Sequence, residues 1–305
     1  MLLCSVFGII CAITFISVVA FDRQSRTLTI MLAFNSAVAG LVINITCGCQ
    51  AIYQLTGDGN DILCPFRGFL THAATGLLYH TICVQTIHRL FVVVFPTRRH
   101  LRSVRVMVCI LSFQWLVSIT FGIPALVLGR IVYQPGSHIC QAALNDLTIF
   151  LYLATFIYLC PISIIIPIYI RIVHYIKQHS FPTNTQQGLI EQHRKHRELR
   201  VMRRLLIIVA VVLLMSFAYL IFFLRAQFFP YLKPIPYAQR ISFISLSFGY
   251  GIWMLLNLIF TDKIRKYLIN KIQVLVRCLQ TTRIHPHNTI DHQTHTITAG
   301  ETQRL

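Results

Sequence analysis

The sequence predicts an all-α membrane protein, a bundle of seven transmembrane helices followed by an amphipathic eighth helix on the inner leaflet. Three observations lead to this fold class. Hydrophobic residues make up 55% of the 305 residues and charged residues only 12%, which lies outside the range of a soluble domain. The apolar residues fall into seven runs, each close to the roughly 20 residues that cross a bilayer. The basic residues concentrate in alternate connections between these runs.

The seven spans are expected in a compact, antiparallel arrangement. We place them, in chain order, at residues 1 to 21, 27 to 50, 64 to 92, 105 to 129, 147 to 175, 203 to 229 and 235 to 260. Most connections are short, so neighbouring spans must run in opposite directions and pack into one bundle. The longest inner connection, from about Lys177 to Arg200, is polar and basic. It is expected to extend the fifth and sixth helices beyond the bilayer.

The positive charge predicts the orientation. With the amino terminus outside, 22 of the 27 Lys and Arg residues fall in the cytoplasmic connections and tail, and five face outward. This asymmetry follows the positive-inside rule and indicates a multi-pass plasma-membrane protein with an outside amino terminus. The net charge of +18 therefore reflects contact with the lipid bilayer. Nucleic-acid binding is disfavoured, because the basic residues do not share one face with stacking aromatic residues.

The seven-helix domain is expected to span residues 1 to 262, and the residues after it form two regions. Between 263 and 279, apolar residues recur at spacings of three and four with Lys and Arg beside them, which predicts a helix lying on the inner leaflet. Cys278 near its end is a candidate for palmitoylation, although unmodified juxtamembrane cysteines are common. Residues 280 to 305 are rich in Thr, His and Gln and are predicted to be disordered. We read the tail histidines as solvated residues and expect no metal site and no cofactor.

Two of the ten cysteines are placed to form a disulfide. The other eight lie in apolar spans or on the cytoplasmic side, where they act as small hydrophobic residues or meet a reducing compartment. Cys64 begins the third span on the outer side, and Cys140 lies in the polar outer connection Gln134-Pro-Gly-Ser-His-Ile-Cys140. We predict a Cys64–Cys140 bridge that ties this connection over the third helix.

Four of the spans contain characteristic residues at fixed spacings from one another. Arg89 follows Cys64 by 25 residues, and Pro96 follows Arg89 by seven. The other matching residues are Trp115 and Pro124 in the fourth span, Pro161 and Tyr169 in the fifth, and Asn35-Ser-Ala-Val-Ala-Gly40-Leu in the second. Together with the topology and the cysteine pair, these spacings resemble the rhodopsin-like family of G-protein-coupled receptors, in which the third-helix arginine belongs to an Asp-Arg-Tyr motif.

This resemblance implies a receptor that passes the signal of an extracellular ligand to a heterotrimeric G protein without catalysis of its own. It also implies that Arg89 and Tyr169 belong to the coupling switch, and that arrestin can bind the Thr-rich tail. His88 replaces the family's acid and restrains Arg89 less than a carboxylate would. Glu198 is expected to pair with Arg89, although an ion pair with its own basic neighbours fits as well. We therefore expect raised basal coupling, which Glu198→Ala would raise further.

The chain departs from the family at its sodium site. The polar residues that hold sodium in the family are replaced by Ile9, Gly40 and Leu78. A polar group inside a membrane is costly unless it is partnered, so the joint loss of the cluster is coherent. We expect no allosteric sodium site.

The sixth and seventh spans lack their family motifs. Ser216 and Ala218 stand at the positions of the sixth-helix tryptophan and proline, which removes the usual cause of the helix kink. The Asn-Pro-x-x-Tyr motif of the seventh helix is absent. The position of the motif's first residue can be aligned equally well with Asn257 or with Met254.

The ligand pocket is expected at the outer ends of the spans. The family's amine-binding aspartate corresponds to Thr71, which disfavours a biogenic amine. Thr71, His72 and Thr75 share one helical face near the outside, although helix packing explains the threonines equally well. Arg225 and Arg240 can either receive an anionic group such as a peptide carboxylate or anchor their helices at the interface. The ligand class is open between a peptide and a small molecule.

Other function classes fit less well. A transporter predicts internal repeats and broken helices that meet at the midplane, and the sequence has no such pair. An intramembrane enzyme needs paired acids or a metal cluster, and no Asp or Glu lies deep in an apolar run. A seven-span chemosensory channel without G-protein coupling is the remaining alternative, and the outside amino terminus counts against inverted types.

Overall fold

The computed structural model describes residues 1–21, 27–56, 62–135, 137–142, 146–178, 186–229, 231 and 237–283. For residues 99, 186–198, 272, 275, 276 and 278–283 it describes the backbone alone. Residues Met1–Arg265 form one compact unit, and Lys266–Leu305 belong to a second. The predicted disordered tail lies outside the described residues from position 284 onward.

The described chain is almost entirely helical. The helices are α1 Leu2–Phe21, α2 Leu28–Thr56, α3 Cys64–Val93, α4 Val104–Thr120, α5 Ile123–Val127, α6 Leu147–Ala154, α7 Cys160–Gln178, α8 Gln186–Phe228, α9 Ala238–Phe260 and α10 Asp262–Arg283. A 3-10 turn, Arg99–Arg102, precedes α4, and a π-helical turn, Thr155–Leu159, joins α6 and α7 into one continuous segment.

Within the described ranges, six helical segments are long and apolar enough to cross a membrane. The seventh span is α3, which has 30 residues but carries more polar groups. It tolerates these groups because more than half of its residues are buried by neighbouring elements and do not face lipid. The predicted seven-helix bundle is therefore confirmed. As expected, the sixth span continues into the inner connection, since α8 begins at Gln186.

Several helix ends follow from local chemistry. Pro65 stands in the first turn of α3, where its missing N–H costs nothing. The backbone N–H of Val106 donates to the Ser103 hydroxyl at 3.4 Å, which caps α4. The N–H of Ile149 donates to the Asp146 carboxylate at 3.2 Å, which caps α6. Each side chain satisfies a backbone group that the helix leaves without a partner.

A short β-hairpin, which the sequence did not predict, lies between α5 and α6. Its strands, β1 Ile131–Gln134 and β2 Ile139–Ala142, pair antiparallel. The hairpin packs closely on α3, because a Cβ at Gly68 would lie 2.7 Å from the Cys140 carbonyl oxygen. The predicted disulfide between Cys64 and Cys140 is confirmed, with Cα atoms 5.2 Å apart. It holds β2 against the outer end of α3.

The π-helical turn in the fifth span has a local cause. Pro161 lacks an N–H, and its ring crowds the carbonyl group four residues earlier. A wider turn before the proline accommodates both effects. Ile157 and Tyr158 of this turn both line the cavity described below.

A buried amide and hydroxyl cluster joins α2, α3 and α4. The Asn35 amide donates to Gln114 Oε1 at 3.2 Å, and Gln114 Nε2 donates to the Thr81 hydroxyl at 2.6 Å. The indole N–H of Trp115 donates to Asn35 Oδ1 at 2.9 Å. Polar groups inside a membrane need such partners, so this cluster fixes the relative position of the three helices.

Candidate functional site

A cavity of about 50 Å³ lies among α2, α3, β2, the fifth span, α8 and α9. A single buried water needs roughly 10–15 Å³, so the cavity can hold a small group of atoms. None of the fifteen described residues that line it is Asp, Glu, Lys or Arg. One third of them are aromatic: Phe150, Tyr158, Tyr219, Phe243 and Tyr250.

The three residues predicted on the outer face of α3 line this cavity. The Thr71 hydroxyl donates to the Arg67 carbonyl at 3.0 Å, and the Thr75 hydroxyl donates to the Thr71 carbonyl at 2.8 Å. Both threonines thus use their hydroxyl protons within α3. The Nε2 atom of His72 is buried, and in the described part of the chain it has no hydrogen-bond partner. His72 therefore keeps hydrogen-bonding capacity at the cavity wall.

Gln141 of β2 contributes a second polar group to the cavity. Its Nε2 atom donates to the Tyr219 hydroxyl of α8 at 2.6 Å. Its Oε1 atom is buried and has no partner among the described residues. Gln141 as a whole is 3% exposed. Gln141 was not predicted, although its position next to the bridging Cys140 was an available signal.

Tyrosine hydroxyls connect the cavity to α8 and α9. Thr75 and Tyr250 form a hydrogen bond of 3.2 Å between α3 and α9. Tyr79 lies 3.5 Å from the Ser216 hydroxyl of α8, and its ring meets the Tyr158 ring edge to face at 4.9 Å. Ser216 was identified as the residue at the family's tryptophan position. Its tyrosine partners were not predicted, because contacts between helices depend on the rotation and tilt of each helix.

The two outer arginines proposed for the pocket do not line the cavity. Arg240 donates from Nε to the Ser137 carbonyl in the hairpin at 2.9 Å, and its guanidinium lies 5.2 Å from the Tyr237 ring centre. Arg225 is half-buried in the last turn of α8. The structure thus brings together the three α3 residues and not the arginines. A ligand role for any of them stays a prediction.

The position of the missing sodium-site aspartate is filled by apolar atoms. A side chain at Gly40 would overlap the Met254 sulfur and approach the Trp253 ring to 2.6 Å. Trp253, Met254 and Leu78 are all at most 1% exposed. Asn257, from the other candidate register, contacts α2 instead, where the Ser36 hydroxyl donates to its side-chain oxygen at 3.5 Å. In the part of the chain that the structure describes, no cluster of His, Cys, Asp and Glu can hold a metal ion.

The inner end of α3 carries the predicted switch residues. His88 is 4% exposed and Arg89 is half-buried. The next turn of α3 packs against an apolar cluster of Ile172, Ile176 and Met202, which Tyr169 also contacts. The side chains of Glu198 and Cys278 lie outside the described residues. The Arg89–Glu198 pair and the lipidation of Cys278 therefore stay predictions.

An ion pair that the sequence did not reveal ties α8 to the end of α9. Arg204 Nη1 donates to Asp262 Oδ1 at 3.2 Å and to the Phe260 carbonyl at 2.8 Å. The Arg204 side chain is 18% exposed and that of Asp262 55%. The two charged residues are 58 positions apart, so their pairing depends on tertiary structure.

Comparison with known proteins gives the same architecture. The profile described as "7 transmembrane receptor (rhodopsin family)" matches residues 12–257. The structure is similar to the crystal structure of squid rhodopsin, with a TM-score of 0.76 and 19% identity, over 91% of this chain and 84% of that chain. At this identity the structural similarity shows the fold alone. Comparison with curated protein sequences finds no match.

Proposed function

The chain belongs to the rhodopsin family of seven-transmembrane receptors, and from this premise we propose that it binds an extracellular ligand in the cavity and activates a heterotrimeric G protein. One observation carries this proposal. The same helix, α3, lines the cavity at Thr75 and holds Arg89 near its other end. The two residues are fourteen positions apart, which corresponds to about 21 Å of helix. A ligand that shifts or rotates α3 therefore acts on both ends.

We propose that the cavity faces the extracellular side of the plasma membrane. The support is the charge asymmetry, because 22 of the 27 basic residues then lie on the cytoplasmic side. The disulfide lies near the cavity, where an outside location provides an oxidising environment. The helix α10 and the tail then face the cytoplasm, where Cys278 can be palmitoylated and arrestin can bind.

The Arg204–Asp262 pair is proposed as a resting-state restraint. If the inner end of α8 moves away from α9, the ion pair and the bond to the Phe260 carbonyl both break. The pair is partly exposed, and such pairs contribute only about 0–1 kcal/mol. His88 stands beside Arg89 where the family has an acid, and it restrains Arg89 only weakly. The resting state is then held by two weak restraints, the Arg204–Asp262 pair and that of His88 on Arg89. We expect measurable G-protein activation without ligand.

The proposal is tested with the full-length chain in lipid nanodiscs and purified heterotrimers from each class of Gα subunit. The measurement is the rate of GTPγS binding without any added ligand. We expect at least one heterotrimer to respond above empty nanodiscs, and Arg89→Ala to reduce that response several-fold. The matched control is Arg98→Ala, an exposed arginine just beyond the end of α3. If no heterotrimer responds, or if the two substitutions have equal effects, G-protein coupling through Arg89 is rejected.

A further inference from the structure

We propose that the ligand is a small, uncharged aromatic molecule with a hydrogen-bond donor beside an acceptor, and that Gln141 and His72 recognise it. This inference rests on the proposed receptor function, since it assigns a chemical class to the ligand of the same cavity. It narrows the choice between a peptide and a small molecule that the sequence left open.

The described residues of the cavity wall include no Asp, Glu, Lys or Arg, which disfavours ionic ligands. All fifteen lining residues lack a carboxylate, an ammonium and a guanidinium group. A charged ligand that enters such a site loses its hydration without gaining an ion-pair partner, which is strongly unfavourable. The outer Arg240 is already engaged with the Ser137 carbonyl and stands outside the lining. A protonated amine and a peptide carboxylate are both poor fits.

Two buried polar atoms define the hydrogen bonds that the ligand must supply. The Gln141 amide is held at one end by the Tyr219 hydroxyl, at 2.6 Å. Its other end, Oε1, has no partner among the described residues and requires a donor. His72 Nε2 is the second such atom and can accept or donate according to its tautomer. A buried polar atom without a partner costs about 1–3 kcal/mol, and a complementary ligand removes that cost.

The shape of the site favours a small aromatic molecule. Five aromatic rings line the cavity, and the volume is about 50 Å³. Stacked and edge-to-face contacts with such rings favour an aromatic ligand. All four residues of β2 are buried, and the disulfide holds this strand over α3. The small volume beneath this hairpin favours a small molecule over a peptide.

Three near-isosteric probes separate charge from shape: benzamide is neutral, benzamidine is cationic and benzoate is anionic. Each is added at millimolar concentration, where molecules of this size are expected to bind, to the full-length receptor in nanodiscs. Binding is measured by ligand-observed NMR with empty nanodiscs as the blank. We expect benzamide to bind at least tenfold more tightly than either ion.

Substitutions locate the binding and provide the control. We expect Gln141→Leu and His72→Phe each to weaken benzamide binding several-fold. The matched control is Gln50→Leu, which also removes a buried glutamine whose amide has no partner among the described residues, but which lies outside the cavity lining. Gln50→Leu should leave benzamide affinity unchanged. Retained affinity in both Gln141→Leu and His72→Phe overturns the assignment of these residues.

The remaining outcomes are equally decisive. The ligand class is wrong if benzamidine or benzoate binds as tightly as benzamide, or if benzamide does not bind. This readout needs no G protein, so it is independent of the coupling assay. Benzamide binding without any heterotrimer response supports the ligand class and rejects the proposed coupling. A heterotrimer response together with preferential binding of an ion supports the proposed coupling and rejects the ligand class.

Discussion

Two regions inside the bundle differ in opposite ways from the family pattern: one is apolar where the family has a polar residue, and the other is polar where the family has an aromatic residue. Around Gly40, where the family has an aspartate, the thioether of Met254 and the ring of Trp253 fill the space between α2 and α9. Around Ser216, where the family has a tryptophan, hydroxyl groups and tyrosine rings meet between α3, the fifth span and α8. Apolar side chains pack closely on Gly40, whereas the Ser216 region is held by hydrogen bonds between hydroxyl groups.

This difference suggests separate tasks for the two regions. Close apolar packing permits few alternative arrangements, so the Gly40 region should fix α2 against α9 in all states. Hydroxyl groups can exchange partners at small cost, so the Ser216 region is suited to transmit a change from the cavity to α8. Substitutions near Gly40 should therefore alter stability, and those near Ser216 should alter signalling.

The largest expected effect is on stability at Gly40. In Gly40→Ala the new methyl group overlaps Met254 and crowds Trp253, and overpacking of this kind costs about 1–3 kcal/mol. The control is Gly48→Ala on the same helix, where the nearest atom would lie at 3.7 Å, an ordinary contact. Thermal unfolding of the purified receptors in detergent should show a lower midpoint for Gly40→Ala alone. Equal midpoints for the two variants would show that the Gly40 region is loosely packed.

The contrast between the regions was only partly predictable from the sequence. The loss of the aspartate at Gly40 and of the tryptophan at Ser216 follows from counting along single helices. The groups that replaced them, Met254 and Tyr79, could not be assigned, because contacts between helices depend on rotation and tilt. The span positions and the Cys64–Cys140 bridge could be predicted because they do not depend on rotation or tilt. The spans follow from the length of the apolar runs, and the bridge follows from the side of the membrane on which the two cysteines lie.

Other features were hidden because their signals are short or distant. The strands of the β-hairpin have four residues each, too few for a clear alternation of polar and apolar residues. Gln141 therefore appeared to lie in an irregular loop. The Arg204–Asp262 pair joins residues 58 positions apart, and the chain has nine acidic residues for 27 basic ones. With so few acidic residues, sequence alone does not show which basic residues they pair with.

The second prediction concerns signalling through the Ser216 region. Tyr79→Phe removes the hydroxyl that faces Ser216, and a bond of this kind contributes about 1 kcal/mol. If this contact holds α8 in the resting state, basal GTPγS binding should rise several-fold. The control is Tyr152→Phe, which loses a hydroxyl that donates to the Phe121 carbonyl at 2.9 Å and does not involve α8.

A double-mutant cycle assigns the effect to the contact itself. Ser216→Ala should raise basal GTPγS binding as Tyr79→Phe does, and the combined variant should add little to either one, because both remove the same interaction. Fully additive effects would mean that the two hydroxyls act separately. A rise in Tyr152→Phe equal to that in Tyr79→Phe would remove the distinction between signalling and structural hydroxyls.

The smallest expected effect lies at the inner end of α8. The difference between the Gly40 and Ser216 regions predicts that contacts restraining α8 affect signalling and not stability. Arg204→Ala breaks the ion pair with Asp262 and the bond to the Phe260 carbonyl, and partly exposed pairs contribute about 0.2–1 kcal/mol. Basal GTPγS binding should rise about two- to fivefold at low salt, and less at high salt because exposed charges are screened. Arg203→Ala, the exposed neighbour, controls for the loss of one positive charge and should leave the basal rate unchanged. Equal rates in the two variants would show that the inner end of α8 is held by the apolar cluster around Met202 and not by charge.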